Sequence, residues 1–434
     1  MWSGNTRNNT SKMNQVALIQ RGLARRYRSE KRFKAYGLTA IVSGVTFLVF
    51  LLGTTFLNGY TALLQTYIAV DVTILDSDFD GGLSQESLSK SDYPGIIKRS
   101  LREAFPEVTK RKEKSELYRL ISSGAQYDLR EKVIDNPELV GQTTTFWLLA
   151  DDEVDVYMKG RIDPAVPEKN RRLKNRSIAW IEQLRDQGRI ERNFNILFFT
   201  NGDSREPEQA GILGAVMGSV FTILVTMLLA FPIGVAAAIY LQEFARKNRF
   251  TDLIEVNINN LAAVPSIIFG LLGLAIFLNF FHMPRSIPLV GGMVLALMTL
   301  PTIIISSRAA LGAVPPSIRE AALGVGASPV QTVLHHVLPL AMPGMLTGTI
   351  IGLAQALGET APLLVIGMVA FIVDIPGSPM DPGTALPVQI YLWADSPERA
   401  FVERTSAAIM VLLLFLIAIN GLIVLLRKKF ERRW

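Results

Sequence analysis

Residues 212–241 contain no Asp, Glu, Lys or Arg. As a helix, thirty residues reach about 45 Å, more than the roughly 30 Å hydrocarbon core of a bilayer. In lipid every backbone N–H and C=O must be bonded internally, so a long uncharged run is expected to be a membrane-spanning helix. Apolar runs recur at 37–57, 253–281, 289–305, 338–375 and 407–426. The run at 338–375 is too long for one straight crossing, and Gly358-Glu359-Thr360-Ala361-Pro362 interrupts it. Taken as one broken crossing, it brings the total to six transmembrane helices. Taken as two, it would strand the basic C-terminal tail on the outer face. The expected fold class is an all-α polytopic membrane protein.

Charge orders these spans. Residues 1–36 carry nine Lys/Arg against the single acid Glu30, and residues 427–434 carry five against Glu431. Basic flanks stay inside, so both termini are expected to be cytoplasmic. The net charge of +6 is then a topology signal, and nucleic acid is not an expected partner. The run at 37–57 is longer than a signal-peptide core and reads as a retained anchor. No cysteine is present, which excludes disulfides and thiolate metal sites.

The expected organisation is a basic cytoplasmic segment at 1–36, span one at 37–66, a periplasmic α/β insert at 67–207, a core at 208–426 with five spans, and a basic cytoplasmic tail at 427–434. Within the insert, Phe146-Trp147-Leu148-Leu149, then Asp151-Asp152, then Val154 and Val156 predict strand, turn, strand. Leu173, Ile178, Ile181 and Leu184 predict a helix within 172–187. Span three is expected over 253–281, begins with Asn257, Asn259 and Asn260, and contains Pro265.

Residues 315–337, between spans four and five, predict two short helices about a glycine turn. Ser317 and Glu320 have the spacing of a capping box, Gly324 and Gly326 end the first helix, and Ser328 with Gln331 repeats the box behind Pro329. The second helix holds no Lys or Arg for phosphates of a nucleic acid.

Glu320-Ala321-Ala322, Gly326 and Leu338-Pro339 resemble the EAA signature of ABC importer permeases. Residues 260–270, Asn-Leu-Ala-Ala-Val-Pro-Ser-Ile-Ile-Phe-Gly, resemble the span-three motif of phosphate permeases. Gly358-Glu359-Thr360-Ala361-Pro362-Leu363 resembles the GETAPL motif of the PstA-type subunit. Together these cover about 210–426. The resemblance implies the ABC importer permease fold, with Ser317, Glu320, Ala321, Ala322, Gly326 and Ser328 in coupling helices that dock on an ATPase dimer. It implies three protein partners: a PstC-type permease, a PstB-type ATPase dimer and a PstS-type phosphate-binding protein. ATP and Mg would sit on the ATPase, with no cofactor, metal or catalytic residue on this chain. The chain has no GxxxxGK[ST] loop to cradle ATP phosphates.

Inorganic phosphate crossing a low-dielectric pore needs donors without a deep trap. Candidates on the path are Asn260, Ser266, Gln355 and Thr360, with backbone N–H groups freed where Pro265 and Gly358–Pro362 break their helices. Glu359 is an intramembrane acid and so a functional candidate, in a gating or structural role. Arg308, at the inner end of span four, is a candidate anion exit. Two other readings remain open from the residues: a permease for molybdate, tungstate, sulfate or phosphonate, and a membrane-anchored sensor that reads a ligand through the insert.

Overall fold

The computed structural model describes residues 6–79 and 84–430. Residues 1–5 of the basic N-terminal segment and 431–434 of the tail, with Arg432 and Arg433, lie outside the described residues. Two compact units divide the chain, Met1–Leu57 and Asn58–Trp434. The first holds helix α1 (Thr6–Gly59) except its last two residues. Its apolar stretch is long enough to cross a membrane, and Leu38, Ile41, Val45 and Leu48 are exposed, as lipid-facing side chains would be.

In the second unit the insert begins with β1 (Leu64–Thr73), three residues ahead of the expected boundary. β1 is the central strand of a three-stranded antiparallel sheet, flanked by β2 (Thr143–Leu149) and β3 (Ile190–Phe194). Tyr67 pairs with Leu149 and Leu64 with Phe194, which fixes the register. Helices α2 (Tyr93–Ala104), α3 (Ala125–Asp135) and α5 (Asn175–Asp186) supply the rest of the insert core: Ile97, Leu101, Leu129, Trp180 and Ile181 pack with Ile68, Val70 and Leu148. The expected helix within 172–187 is α5. The expected strand at Val154 and Val156 is instead α4 (Asp152–Met158). Asp151 accepts from the Glu153 N–H and starts that helix, a cap that outweighs two alternating valines. A short helix, α6 (Ile196–Thr200), leads out of β3.

The permease core holds α7 (Leu213–Ile239), α8 (Arg249–Ala262), α9 (Ser266–Gly273), α10 (Pro288–Gly312), α11 (Pro316–Gly324), α12 (Pro329–Thr332), α13 (Leu338–Gly358), α14 (Ala361–Val365), α15 (Leu386–Ala394) and α16 (Ala400–Phe430). Among the described residues, five helical stretches are long and apolar enough to cross a membrane, and α8 with residues 266–280 makes a sixth as a bent pair. Six spans were expected, and the third is broken at Pro265, as the sequence predicts. The axis turns by 101° between Ala262 and Ser266. Pro265 has no N–H to continue the helix and disfavours helical geometry before it. Helix α10 is central: Val290, Val294, Leu295 and Ile303 are buried, and Thr226 of α7 donates to the Gly292 carbonyl at 3.1 Å.

The insert is joined to the permease core by buried polar groups. Lys159 Nζ lies 2.5 Å from Asp155 and 2.6 Å from Glu403 at the start of α16. Asp155 accepts from the Thr66 N–H and hydroxyl, and Glu403 from Thr61. Arg404, fully buried, donates to the carbonyls of Glu208 and Ala210 and lies over the Phe198 ring. Gln65 donates to the Glu208 carbonyl, and Ser122 to the Glu208 carboxylate at 2.5 Å.

Candidate functional site

The coupling element lies at the end of α10 remote from the insert. Pro315, extended at φ −57 and ψ 139, caps α11, and Pro316 occupies its first position. Ser317 is therefore inside the helix, not its cap, and the box expected with Glu320 does not form. Two consecutive prolines set the start one step earlier than the hydroxyl signal did. Glu320, Ala321 and Ser317 are exposed, while Ala322 is buried. Gly326 adopts φ +90, which a side chain would strain, and turns the chain by 328 into a second helix. There the expected box is present: Ser328 Oγ accepts from the Gln331 N–H, and Gln331 Oε1 from the Ser328 N–H at 2.9 Å.

From that cap the chain stays helical to Gly358, through a π-helical turn at Val333–Val337 into α13. One rod thus joins the second short helix to the segment that breaks at Gly358. Val325 is 86% exposed, and Leu323, Val330 and Leu334 are also open. An apolar face of this kind on a loop fits a protein partner. His335 and His336 are both exposed, and no metal-ligating cluster occurs among the described residues.

Arg319 was not singled out in the sequence. Its guanidinium forks onto Glu243 at 2.6 and 3.0 Å and donates to the carbonyls of Leu311 and Val314. Glu243 belongs to the π-helical turn that ends α7, so this arginine ties α11 to the foot of that span.

The candidate path gathers at two helix breaks. Arg427, at the basic end of α16, donates to Thr347 Oγ1. Gly358 lies eleven residues, about 16 Å, farther along α13, near the middle of a roughly 30 Å core. There α13 ends, Glu359 is extended (φ −83, ψ 115), and α14 sets off again at Ala361. A Cβ on Gly270 would lie 2.7 Å from Pro362 Cα, so the missing side chain lets α9 meet α14 closely. Ser266, Glu359 and Thr360 are half-buried; Asn260, Pro265 and Gln355 are exposed. The Glu359 carboxylate has no hydrogen bond or ion pair among the described residues. Arg308 does: it pairs with Glu255 of α8 at 2.6 Å. That pairing offsets its charge as an anion exit and holds α8 against α10.

A second charged group sits where the insert meets the core. Burial pushes Glu208 up to about 7, with Asp152 and Glu206 adding to the rise and the Ser122 hydrogen bond opposing it. Burial and the neighbouring Asp152 hold Asp151 at about 8. Asp203, which accepts from the Trp393 indole at 2.9 Å, is also raised by burial.

Comparison with known proteins shows a permease subunit of an ABC importer. Residues 230–434 match the family described as binding-protein-dependent transport system inner membrane component, and residues 20–168 match a domain of unknown function (DUF3333). A phosphate transport system permease protein PstA of Haemophilus influenzae is 31% identical over 52% of this chain and 79% of its own length. PstA 1 of Mycobacterium tuberculosis is 30% identical over 52% and 74%. A "Probable ABC transporter permease protein YqgI" of Bacillus subtilis is 32% identical over 38% and 56%. Among solved structures, an inward-facing MetNI methionine ABC transporter chain aligns at TM-score 0.42 and 19% identity, over 50% of this chain and 97% of that one. The chain belongs to the PstA-type permeases of binding-protein-dependent transport systems.

Proposed function

We propose that this chain forms half of a heterodimeric pore that imports inorganic phosphate across a bacterial inner membrane, with both termini cytoplasmic. The partners are a PstC-type permease, a PstB-type ATPase dimer that holds ATP and Mg, and a PstS-type phosphate-binding protein. The observation that carries this reading is the continuous helix from Pro329 to Gly358. Its capped, exposed turn meets the motor, and its other end is the break beside Glu359 and Thr360. Motion of the turn moves the break, so ATP-driven closure of the motor shifts the pore between inward-open and outward-open states.

The PstA relatives support phosphate, while the relative named only as an ABC transporter permease keeps other oxyanions in view. Reconstituted with its partners, the assembly should take up labelled phosphate with ATP and not without it. Excess molybdate, sulfate or phosphonate should leave that uptake intact. Loss of uptake to one of these competitors would reassign the anion, and absence of ATP-dependent uptake would remove the proposal. Glu320→Lys should abolish uptake while the chain still inserts.

A further inference from the structure

Between Arg205 and Arg399 the chain holds six basic residues: Arg246, Lys247, Arg249, Arg285, Arg308 and Arg319. Five lie toward the coupling end. Arg246, Lys247 and Arg249 follow the foot of α7, Arg308 is in the last turns of α10, and Arg319 is on α11. Arg285 alone lies at the other end, in the loop before α10. The two flanking arginines are engaged elsewhere: Arg205 lies over the Phe371 ring, and Arg399 acts on the Glu153 carboxyl of the insert. No candidate on the path at mid-depth is a cation, and Glu359 is an acid.

The loop that presents Arg285 is held tightly. His282 (φ 54) and Ser286 (φ 59) both occupy the left-handed region, rare for residues with a side chain. Such geometry persists only where surroundings enforce it. Here Ser286 is buried, its hydroxyl donates to the Gly367 carbonyl at 2.5 Å, and its own carbonyl accepts from the Gly383 N–H at 2.8 Å. A Cβ on Gly367 would stand 3.6 Å from Arg285 Cδ and 3.9 Å from its Cβ, so the arginine stem lies over that turn. Gly367 comes two residues after α14, the segment that leads outward from the break. The guanidinium is exposed and has no hydrogen bond or ion pair among the described residues.

We infer that Arg285 receives the tetrahedral oxyanion at the outer mouth of the path and steers it toward the break at Gly358–Thr360. This rests on the reading of the chain as an oxyanion-importing permease. A cation beside low-dielectric walls raises the local concentration of an anion. Because it is exposed, Arg285 holds the anion weakly and releases it, as transit requires.

The test uses the reconstituted assembly at saturating binding protein. Arg285→Gln should lower ATP-dependent phosphate uptake about tenfold, while ATP hydrolysis continues. Arg285→Lys should retain most uptake, and Arg285→Glu should fall below Arg285→Gln. The chain has no cysteine, so Arg285→Cys introduces a single thiol on it after assembly. An aminoethyl methanethiosulfonate should then restore uptake, and a sulfonatoethyl one should not, with the unsubstituted assembly treated alike as control. This arm decides the matter even if Arg285→Gln assembles poorly. Equal uptake by wild type and Arg285→Gln, or equal effects of the two reagents, would overturn the inference alone. Absence of uptake by wild type would instead strike the functional reading.

Discussion

Glu208 has an exposure of 2%, and only one of its carboxylate oxygens is bonded, to Ser122; the other has no partner. Its proton is held up to about 7, against about 4.3 for a free glutamate. The folded chain therefore binds this proton more tightly than the unfolded chain. Below about pH 4 both states are protonated and the full stability is present. As pH climbs from there to about 7, the unfolded state loses the proton first and stability declines; beyond that it levels off. Asp151, at about 8, extends the decline, with Asp152 and Glu206 facing the same space. The full chain in detergent should thus melt at a higher temperature at pH 5.5 than at pH 8.5. Glu208→Gln keeps an oxygen for Ser122 and removes the titration, so it should take on the order of 1–3 kcal/mol out of the pH dependence of stability and narrow that difference. An unchanged gap between the two melting temperatures would show that Glu208 is not the group responsible.

Two serines of the coupling element looked alike in sequence and differ in structure. Ser328 caps its helix and Ser317 does not. Ser328→Ala should cost about 1 kcal/mol and speed hydrogen exchange over 329–333, with a matching drop in coupled uptake. Ser317→Ala should be close to silent in both measurements; a reversal of the two would mean that the first helix starts at Ser317 after all. The same comparison shows what local sequence can encode. Hydropathy places the spans, and the Gly-Glu-Thr-Ala-Pro interruption marks the break in α13, because both are properties of a single segment. Competing local signals are harder: the prolines at 315 and 316 displace a cap, and the Asp151 cap turns Val154 and Val156 into a helix. The charged ties are not local at all. Arg308 and Glu255 are 53 residues apart, Arg319 and Glu243 76, Lys159 and Glu403 244. Nothing within one segment identifies such partners, so the charges at 243, 255 and 403 read in sequence as ordinary flanks of their spans.

Lys159 makes the insert and the permease core one mechanical body. Its side chain is 1% exposed, against 5% for Asp155 and 2% for Glu403, so the triad is closed off from bulk solvent. Asp155 is on α4 of the insert, and Glu403 opens α16. A load applied to the insert therefore reaches the last span through an ion pair rather than a flexible linker. Removing the ammonium leaves two buried carboxylates, with Arg161 a cationic neighbour 4.0 Å from Glu403. Lys159→Met should cost roughly 3–5 kcal/mol, and its melting temperature should fall accordingly. Lys159→Met combined with Glu403→Gln should recover part of that loss, because Thr66 still bonds Asp155 and one of the two charges is gone. Hydrogen exchange locates the effect: in Lys159→Met both α4 and the first turns of α16 should exchange faster. Acceleration confined to the insert would mean that the last span is held by other contacts, and that the insert moves independently of the pore.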